Sequence, residues 1–439
     1  MRHRVVITGM GVVCPLGHNT EQMWKGLMTG QSGAAATTLF DASTFPTQFD
    51  AEVKGFDLSR FVRHYDLHKN GNRGTQFALG ACVQACQQAG IDVETSAPGD
   101  GIDRQRMGIY LGAGEGPVNF EPFFEALIGA WDEQARQVNW PKWTQIALSG
   151  LSALNELEQE PNMPVAHLAL LTGARGVTRS CLTACAASTQ AVGEAMMLLR
   201  HGKADVIVAG GAHSMIHPLG VTGFNRLTAL STRNDSPQTA SRPFSASRDG
   251  FVIGEGGAIV ILETLESAKK RGVKILAEVI GFGSSNDAFR VTDMHNEARG
   301  ACQALRAAIR DAGLTIEDID YISTHGTSTV ENDEIETLAI KTVFGQRAYT
   351  IPCSSPKSQM GHLIAATGCA ELITCVKAIE EQTLPPTMNL NEPDPKLDLD
   401  YVPNVPRKAK VEIALNESFG FGGQNNVIII KRFQEDTQG

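Results

Sequence analysis

Long apolar runs are scarce in this chain. The most apolar stretches, Ala204–Ala212 and Gly257–Leu262, fall far short of the roughly 20 residues that a spanning helix needs. No transmembrane helix is therefore expected. The opening, Met1–Arg4 and then Val5-Val6-Ile7, lacks the apolar stretch of about 7–15 residues that a secretory signal requires, so export is not expected. Basic residues are also in deficit. The 38 Lys and Arg face 48 Asp and Glu, a net charge of −10, which excludes a basic nucleic-acid footprint over the chain as a whole. The nine cysteines are odd in number and scattered, which argues against a disulfide framework and for a reducing, cytoplasmic setting.

What is present is ordinary globular composition, 42% hydrophobic and 20% charged over 439 residues. Glycine is plentiful, with 44 residues, which predicts tight turns and close backbone approaches. Short β-rich runs alternate with helix-length segments, the signature of α/β layering. The first half reads as a strand at 4–8, helices at 20–28 and 75–90, and strands at 107–111, 204–209 and 258–262. The second half restarts with a strand at 275–280 and continues with a helix at 299–312 and a strand at 321–323. A helix at 333–344, a strand at 350–353, a helix at 363–380 and strands at 411–416 and 426–430 complete it. Two βαβ-rich halves, 1–265 and 266–439, follow, with a site expected where they meet. The segment 115–164 differs. It holds Trp131, Trp140 and Trp143, many acids and no clear strand, and reads as an elaborated surface or lid-like insertion.

Four segments carry candidate chemistry. Gly9-Met10-Gly11 after the first strand is not one of them, because its spacing fails the dinucleotide-binding fingerprint. Cys185 precedes the apolar helix Ala186–Arg200. A thiol at a strand-to-helix elbow sits at the positive end of the helix dipole, which is expected to lower its pKa; a packed core cysteine is the plain alternative. His325, in Thr-His-Gly-Thr-Ser-Thr, and His362, in Met-Gly-His-Leu, stand in small-residue turns that can aim them into one cleft. A zinc site built from these three residues is weaker than a catalytic set, since no fourth ligand stands at a recognised spacing; no metal is expected. The fourth segment, Ser418–Asn425, is a Gly-rich turn able to present backbone N–H groups to an oxyanion.

Together these segments resemble the β-ketoacyl-acyl-carrier-protein synthases, condensing enzymes of thiolase fold, most closely the synthase II type of fatty-acid synthesis and its polyketide relatives. Val6–Gly11, Ala229–Asp235, Ala240–Pro243, Arg248–Gly254, His325–Thr329 and Phe419–Gly423 all match family signatures. The resemblance implies an αβαβα layered fold. It implies that Cys185 accepts an acyl group, and that His325 and His362 assist decarboxylation of a malonyl thioester. Phe421 would serve as oxyanion donor and gate. Lys357, Glu371 and Asp333 would be buried polar support around the histidines, and Thr327 and Thr329 would hold the pantetheine arm. Arg233, Lys69 and Arg73 would meet an acidic acyl carrier protein. No cofactor is implied beyond the carrier's phosphopantetheine, and a homodimer is expected, with a heterodimer as the alternative. Departures are Ala187 where a small polar residue is usual, Gln424 where threonine is common, and the length of 115–164. Glu115 matches a position near the floor of the acyl pocket, which implies either a pocket reshaped for a short or polar chain or a solvated rim residue. Competing readings are a thiolase, which needs a second cysteine in the terminal Gly-rich loop, and a non-catalytic partner subunit, which would lack the nucleophile.

Overall fold

The computed structural model describes residues 2–435. Ten strands form its main sheet: β1 (Val5–Val13), β2 (Met107–Ala113), β3 (Thr178–Cys181), β4 (Val206–His213), β5 (Gly256–Thr264), β6 (Ala277–Asn286), β7 (Tyr321–Ser323), β8 (Cys353–Ser354), β9 (Ile413–Gly420) and β10 (Gln424–Lys431). Their spatial order is β8-β7-β9-β10-β6-β1-β5-β4-β2-β3. Read outward from the centre, the halves run β1-β5-β4-β2-β3 and β6-β10-β9-β7-β8, so each strand of the second half occupies the place of the strand five earlier. The pairings agree as well. In each half the two inner pairs are antiparallel and the two outer pairs parallel, and β1 joins β6 antiparallel at the seam.

Six helices complete the layers: α1 (Arg73–Gln88), α2 (Met163–Thr172), α3 (Ala187–Arg200), α4 (Arg299–Ala312), α5 (Val330–Phe344) and α6 (Thr367–Glu381). One apolar cluster joins α3 and α6 to the inner faces of both half-sheets, while a second packs α1 and α2 on the outer face of the first half and a third packs α4 and α5 outside the second. The result is the five-layered α/β arrangement of the thiolase-like fold. Strands buried on both faces explain the near-continuous Val/Ile runs in β1, β4, β5 and β10. Gly9 and Gly11 have a packing role: a Cβ on either would stand 2.1 Å from a carbonyl oxygen of α1.

Three expectations are corrected. The segment 115–164 is mostly helical, yet it contains a small antiparallel hairpin, Trp131–Asp132 with Gln137–Val138. The strand expected at 350–353 shrinks to Cys353–Ser354, because Gly345–Tyr349 forms a 3₁₀ turn first. The helix expected from residue 363 begins only at Thr367, after a 3₁₀ turn over Ile364–Ala366.

Candidate active site

Three loops at the strand ends bring the chemistry together. Cys185 lies in the 3₁₀ turn Ala184–Ala186 that leads into α3, His325 follows β7, and His362 follows the short helix Lys357–Met360. Each elbow contains a non-glycine residue in the left-handed region: Ala184 at φ 47°, Ser328 at φ 71° and Ile364 at φ 49°. Such backbone costs of order 1–3 kcal/mol per residue and persists where packing over-determines it. All three functional residues are buried, and they line one cavity of about 200 Å³ with Phe421, Thr327 and Thr329. The Cys185 sulfur and one nitrogen of each imidazole lie within 4.8 Å of one another. The imidazole rings meet edge to face, with centroids 5.4 Å apart.

The tautomer of His362 follows from its neighbours. Its Nδ1 accepts from the Ile364 N–H at 3.2 Å and lies 2.9 Å from the Thr367 hydroxyl. The ring proton therefore sits on Nε2, which has no hydrogen-bond partner among the described residues. His325 is held from behind. The Glu336 carboxylate accepts the backbone N–H groups of His325 at 2.5 Å and Gly326 at 2.7 Å. Burial first, and then the Lys357 cation, push both imidazoles well below the usual histidine range, so both are neutral at pH 7. Lys357 itself is paired with Glu371 at 2.5 Å, with both side chains almost fully buried.

The expectation of an acidified thiol is overturned. Burial pushes Cys185 up to about 11, and Lys357 with the backbone N–H groups of Phe421 and Cys185 offsets only part of that rise. Desolvation of a fully enclosed sulfur outweighs the dipole of one helix. The same two N–H groups converge on the sulfur and are positioned to receive an oxyanion there. Gly420 keeps this approach open, since a Cβ on it would stand 2.9 Å from the Thr183 carbonyl and 3.4 Å from the Cys185 nitrogen.

The remaining expected residues separate. Thr327 and Thr329 line the cavity and hydrogen-bond each other at 2.9 Å. Asp333 is buried, but it accepts the Phe244 N–H at 2.8 Å and faces Arg248 at 3.8 Å, and no hydrogen bond joins it to either histidine. Burial raises it to about 7. Glu336, which the sequence reading did not single out, is the acid that holds the His325 turn; its place eleven residues after His325 and three after Asp333, on the same helix face, was the available signal. Arg73 is corrected as a docking residue, because its guanidinium is committed to the buried Glu255. Lys69 is exposed and pairs with Asp66 at 3.1 Å. Arg233 borders a separate polar depression, whereas the exposed Arg226 adjoins Leu227 and Thr228 at the cavity mouth. Glu115 is solvent-exposed, so the rim alternative holds and no carboxylate is buried there.

Comparison with known proteins agrees with this arrangement. The family model "Beta-ketoacyl synthase, N-terminal domain" matches residues 2–268, and the corresponding C-terminal domain matches 276–391. The chain belongs to the β-ketoacyl synthase family. It is 40% identical over 433 residues to the 3-oxoacyl-[acyl-carrier-protein] synthase 2 of Coxiella burnetii, covering 98% of this chain and 99% of that one. The synthase 2 of Synechocystis is 39% identical over 99% of this chain and 99% of its own length. Among solved structures, a β-ketoacyl synthase from Burkholderia phymatum superposes with a TM-score of 0.86 at 32% identity, covering 98% of this chain and all of that one. A type II polyketide ketosynthase, solved with its acyl-carrier protein and bound to the hexaketide, gives the same score and identity over 99% of this chain and all of its own. Among the described residues, no helix is long and apolar enough to cross a membrane.

Proposed function

We propose that this family member catalyses decarboxylative condensation of an acyl thioester with a malonyl group on an acyl carrier protein, yielding a β-ketoacyl thioester. The observation that carries the reading is the meeting of the Cys185 sulfur with two neutral imidazoles in one enclosed cavity. In the first half-reaction the Cys185 sulfur attacks the acyl carbonyl. The new C–S bond forms, the carrier's C–S bond breaks, and the thiol proton leaves with the departing pantetheine thiol. In the second, the malonyl C–C bond to its carboxylate breaks and CO₂ departs. The electron pair becomes an enolate whose oxygen accepts from the imidazole N–H of His362 and from His325. The enolate carbon attacks the acyl-Cys185 carbonyl, and the tetrahedral oxyanion sits between the N–H groups of Cys185 and Phe421. Collapse releases the Cys185 thiolate, which takes one proton from solvent, as its burial demands. Thr327 and Thr329 line the path of the pantetheine arm, and Phe421 stands at the gate.

The reading needs no metal or further cofactor. A thiolase reading is disfavoured because the loop 419–425 holds no cysteine, and a scaffold subunit because Cys185 and both histidines are in place. The partner is an acidic carrier protein that docks at the cavity mouth, where Arg226 is free to meet it. A dimer is supported by β3, the last strand of the sheet, whose outer edge is unpaired among the described residues and exposes Thr178 and Arg179. A cytoplasmic setting is supported by nine cysteines that form no disulfide. The decisive test is Cys185→Ala, which abolishes condensation while the fold survives, with Cys185→Gln retaining malonyl decarboxylation. Wild-type condensation by Cys185→Ala refutes the reading.

A further inference from the structure

Glu417 has no place in the chemistry above, yet it lies directly behind it. It follows Asn416, whose partner across β9 and β7 is Ser323, so it is level with the turn that carries His325. The residue is fully buried, and among the described residues no N–H or hydroxyl reaches either carboxyl oxygen. The group facing it is another acid, Glu336, the carboxylate that already holds the His325 and Gly326 N–H groups. Two carboxyl groups cannot hydrogen-bond without a proton between them. The surroundings demand that proton as well. Glu336, Glu371 and Glu417 are all fully buried, and Lys357 is the cation set among them.

Resting on the condensing function above, we propose that Glu417 is a positioning residue: it donates a retained proton to Glu336, and this carboxyl–carboxylate bridge fixes the turn that presents His325. The groups facing the bridge are Lys357 and Glu371, Cys302 from α4, Cys353 from β8, Asp333 on α5, and Tyr401. Burial is the largest cause of the raised pKa of Glu417, and the Glu336 charge is next. Lys357 favours the ionised form on Glu336, so the proton stays on the Glu417 side.

Linkage gives a test without adjustable terms. An ordinary glutamate titrates near ~4.3, so above that pH the unfolded chain has released a proton that the folded chain keeps. The stability contributed by the raised group is complete below that pH and is lost as pH rises towards the folded value. One retained proton raises the wild-type unfolding constant about tenfold per pH unit relative to a variant without it. Urea unfolding of the full chain and of Glu417→Gln, from pH 5.5 to 7.5, is therefore expected to show their ratio climbing about 100-fold. Glu417→Gln keeps a donor to Glu336 and most of the malonyl decarboxylation. Glu417→Leu lowers decarboxylation kcat about 10²-fold, the scale of a displaced catalytic group, while Cys185 is acylated at the wild-type rate. A ratio that does not change with pH overturns the bridge, as does a flat ratio with wild-type stability that climbs with added Na⁺ or K⁺, which would assign the charge balance to a cation. Failure of the wild type to acylate Cys185 defeats the condensing function alone, and the unfolding comparison still decides the bridge.

Discussion

Replacing Lys357 by methionine removes the cation at the centre of the site and separates stability from catalysis. Glu371 is then left fully buried without its partner, 2.5 Å away in the native chain. It will not remain an anion. Its carboxyl is already raised to about 7 by burial with the lysine present, so the orphaned group takes up a proton. Holding a glutamate neutral at pH 7 against an ordinary value of ~4.3 costs about 3.7 kcal/mol, at 1.36 kcal/mol per unit, and at pH 5.5 about 1.6 kcal/mol. The penalty thus grows as pH rises, and it lies within the range of about 3–5 kcal/mol found when one partner of a buried ion pair is removed. Lys357→Met combined with Glu371→Gln is expected to recover most of that stability, because no charge is then left unpaired. It is not expected to recover activity. Lys357 also lowers both imidazoles and the Cys185 thiol. Without it, the histidines titrate closer to neutrality and the acid limb of decarboxylation moves up in pH. Urea unfolding at pH 5.5 and 7, with decarboxylation profiles from pH 5 to 8, checks both halves. A stability loss that ignores pH, or a double variant with the wild-type profile, refutes the reasoning.

His325→Ala and His362→Ala are each expected to lower malonyl decarboxylation about 10²–10³-fold, the loss typical of one oxyanion donor, while iodoacetamide still labels Cys185; normal decarboxylation by either variant reverses the assignment. With both imidazoles held neutral, decarboxylation by Cys185→Gln should be flat between pH 6 and 8, and a midpoint near 6.5 in its profile would contradict that. Arg73→Ala should weaken stability to urea, because Glu255 loses its guanidinium, and leave the carrier KM unchanged, whereas Arg226→Glu should raise that KM. Gly368→Val should not reach the native fold at 37 °C, since a Cβ there would lie 1.9 Å from the Thr189 hydroxyl, and a native melting curve would show that this helix crossing can widen.

Much of the layering was legible because strands covered on both faces are rich in Val and Ile with glycine beside or among them, as in Val5–Val13 and Gly256–Thr264. The helices Thr20–Met28 and Arg299–Ala312 were placed to the residue, each with a clear amphipathic stripe. The hairpin inside 115–164 was not legible, since two-residue strands leave no periodicity. Cys185, His325 and His362 were readable because each stands in a small-residue turn beside a regular element. Their charge states were not, because local sequence reports the dipole of the helix ahead and says nothing of the surrounding depth that desolvates the sulfur. Arg73 failed for the same reason: its partner Glu255 is 182 residues away. Glu417 became visible only once β9 was laid beside β7.

The repeated strand order carries a consequence for the origin of the site. The elbow before α3 and the elbow before α6 are built alike: a left-handed residue, a 3₁₀ turn, then a buried helix, at Ala184–Ala187 and at Ile364–Thr367. Cys185 in the first therefore has Ala365 as its twin in the second. A chain formed by fusing two copies of one ancestral unit would begin with two equivalent elbows facing each other across an internal two-fold axis. One copy now carries the thiol, and the other carries an alanine with His362 just ahead of it. The asymmetry between nucleophile and oxyanion partner is then a division of labour between two once-identical corners, with the former subunit interface running through the middle of a single polypeptide.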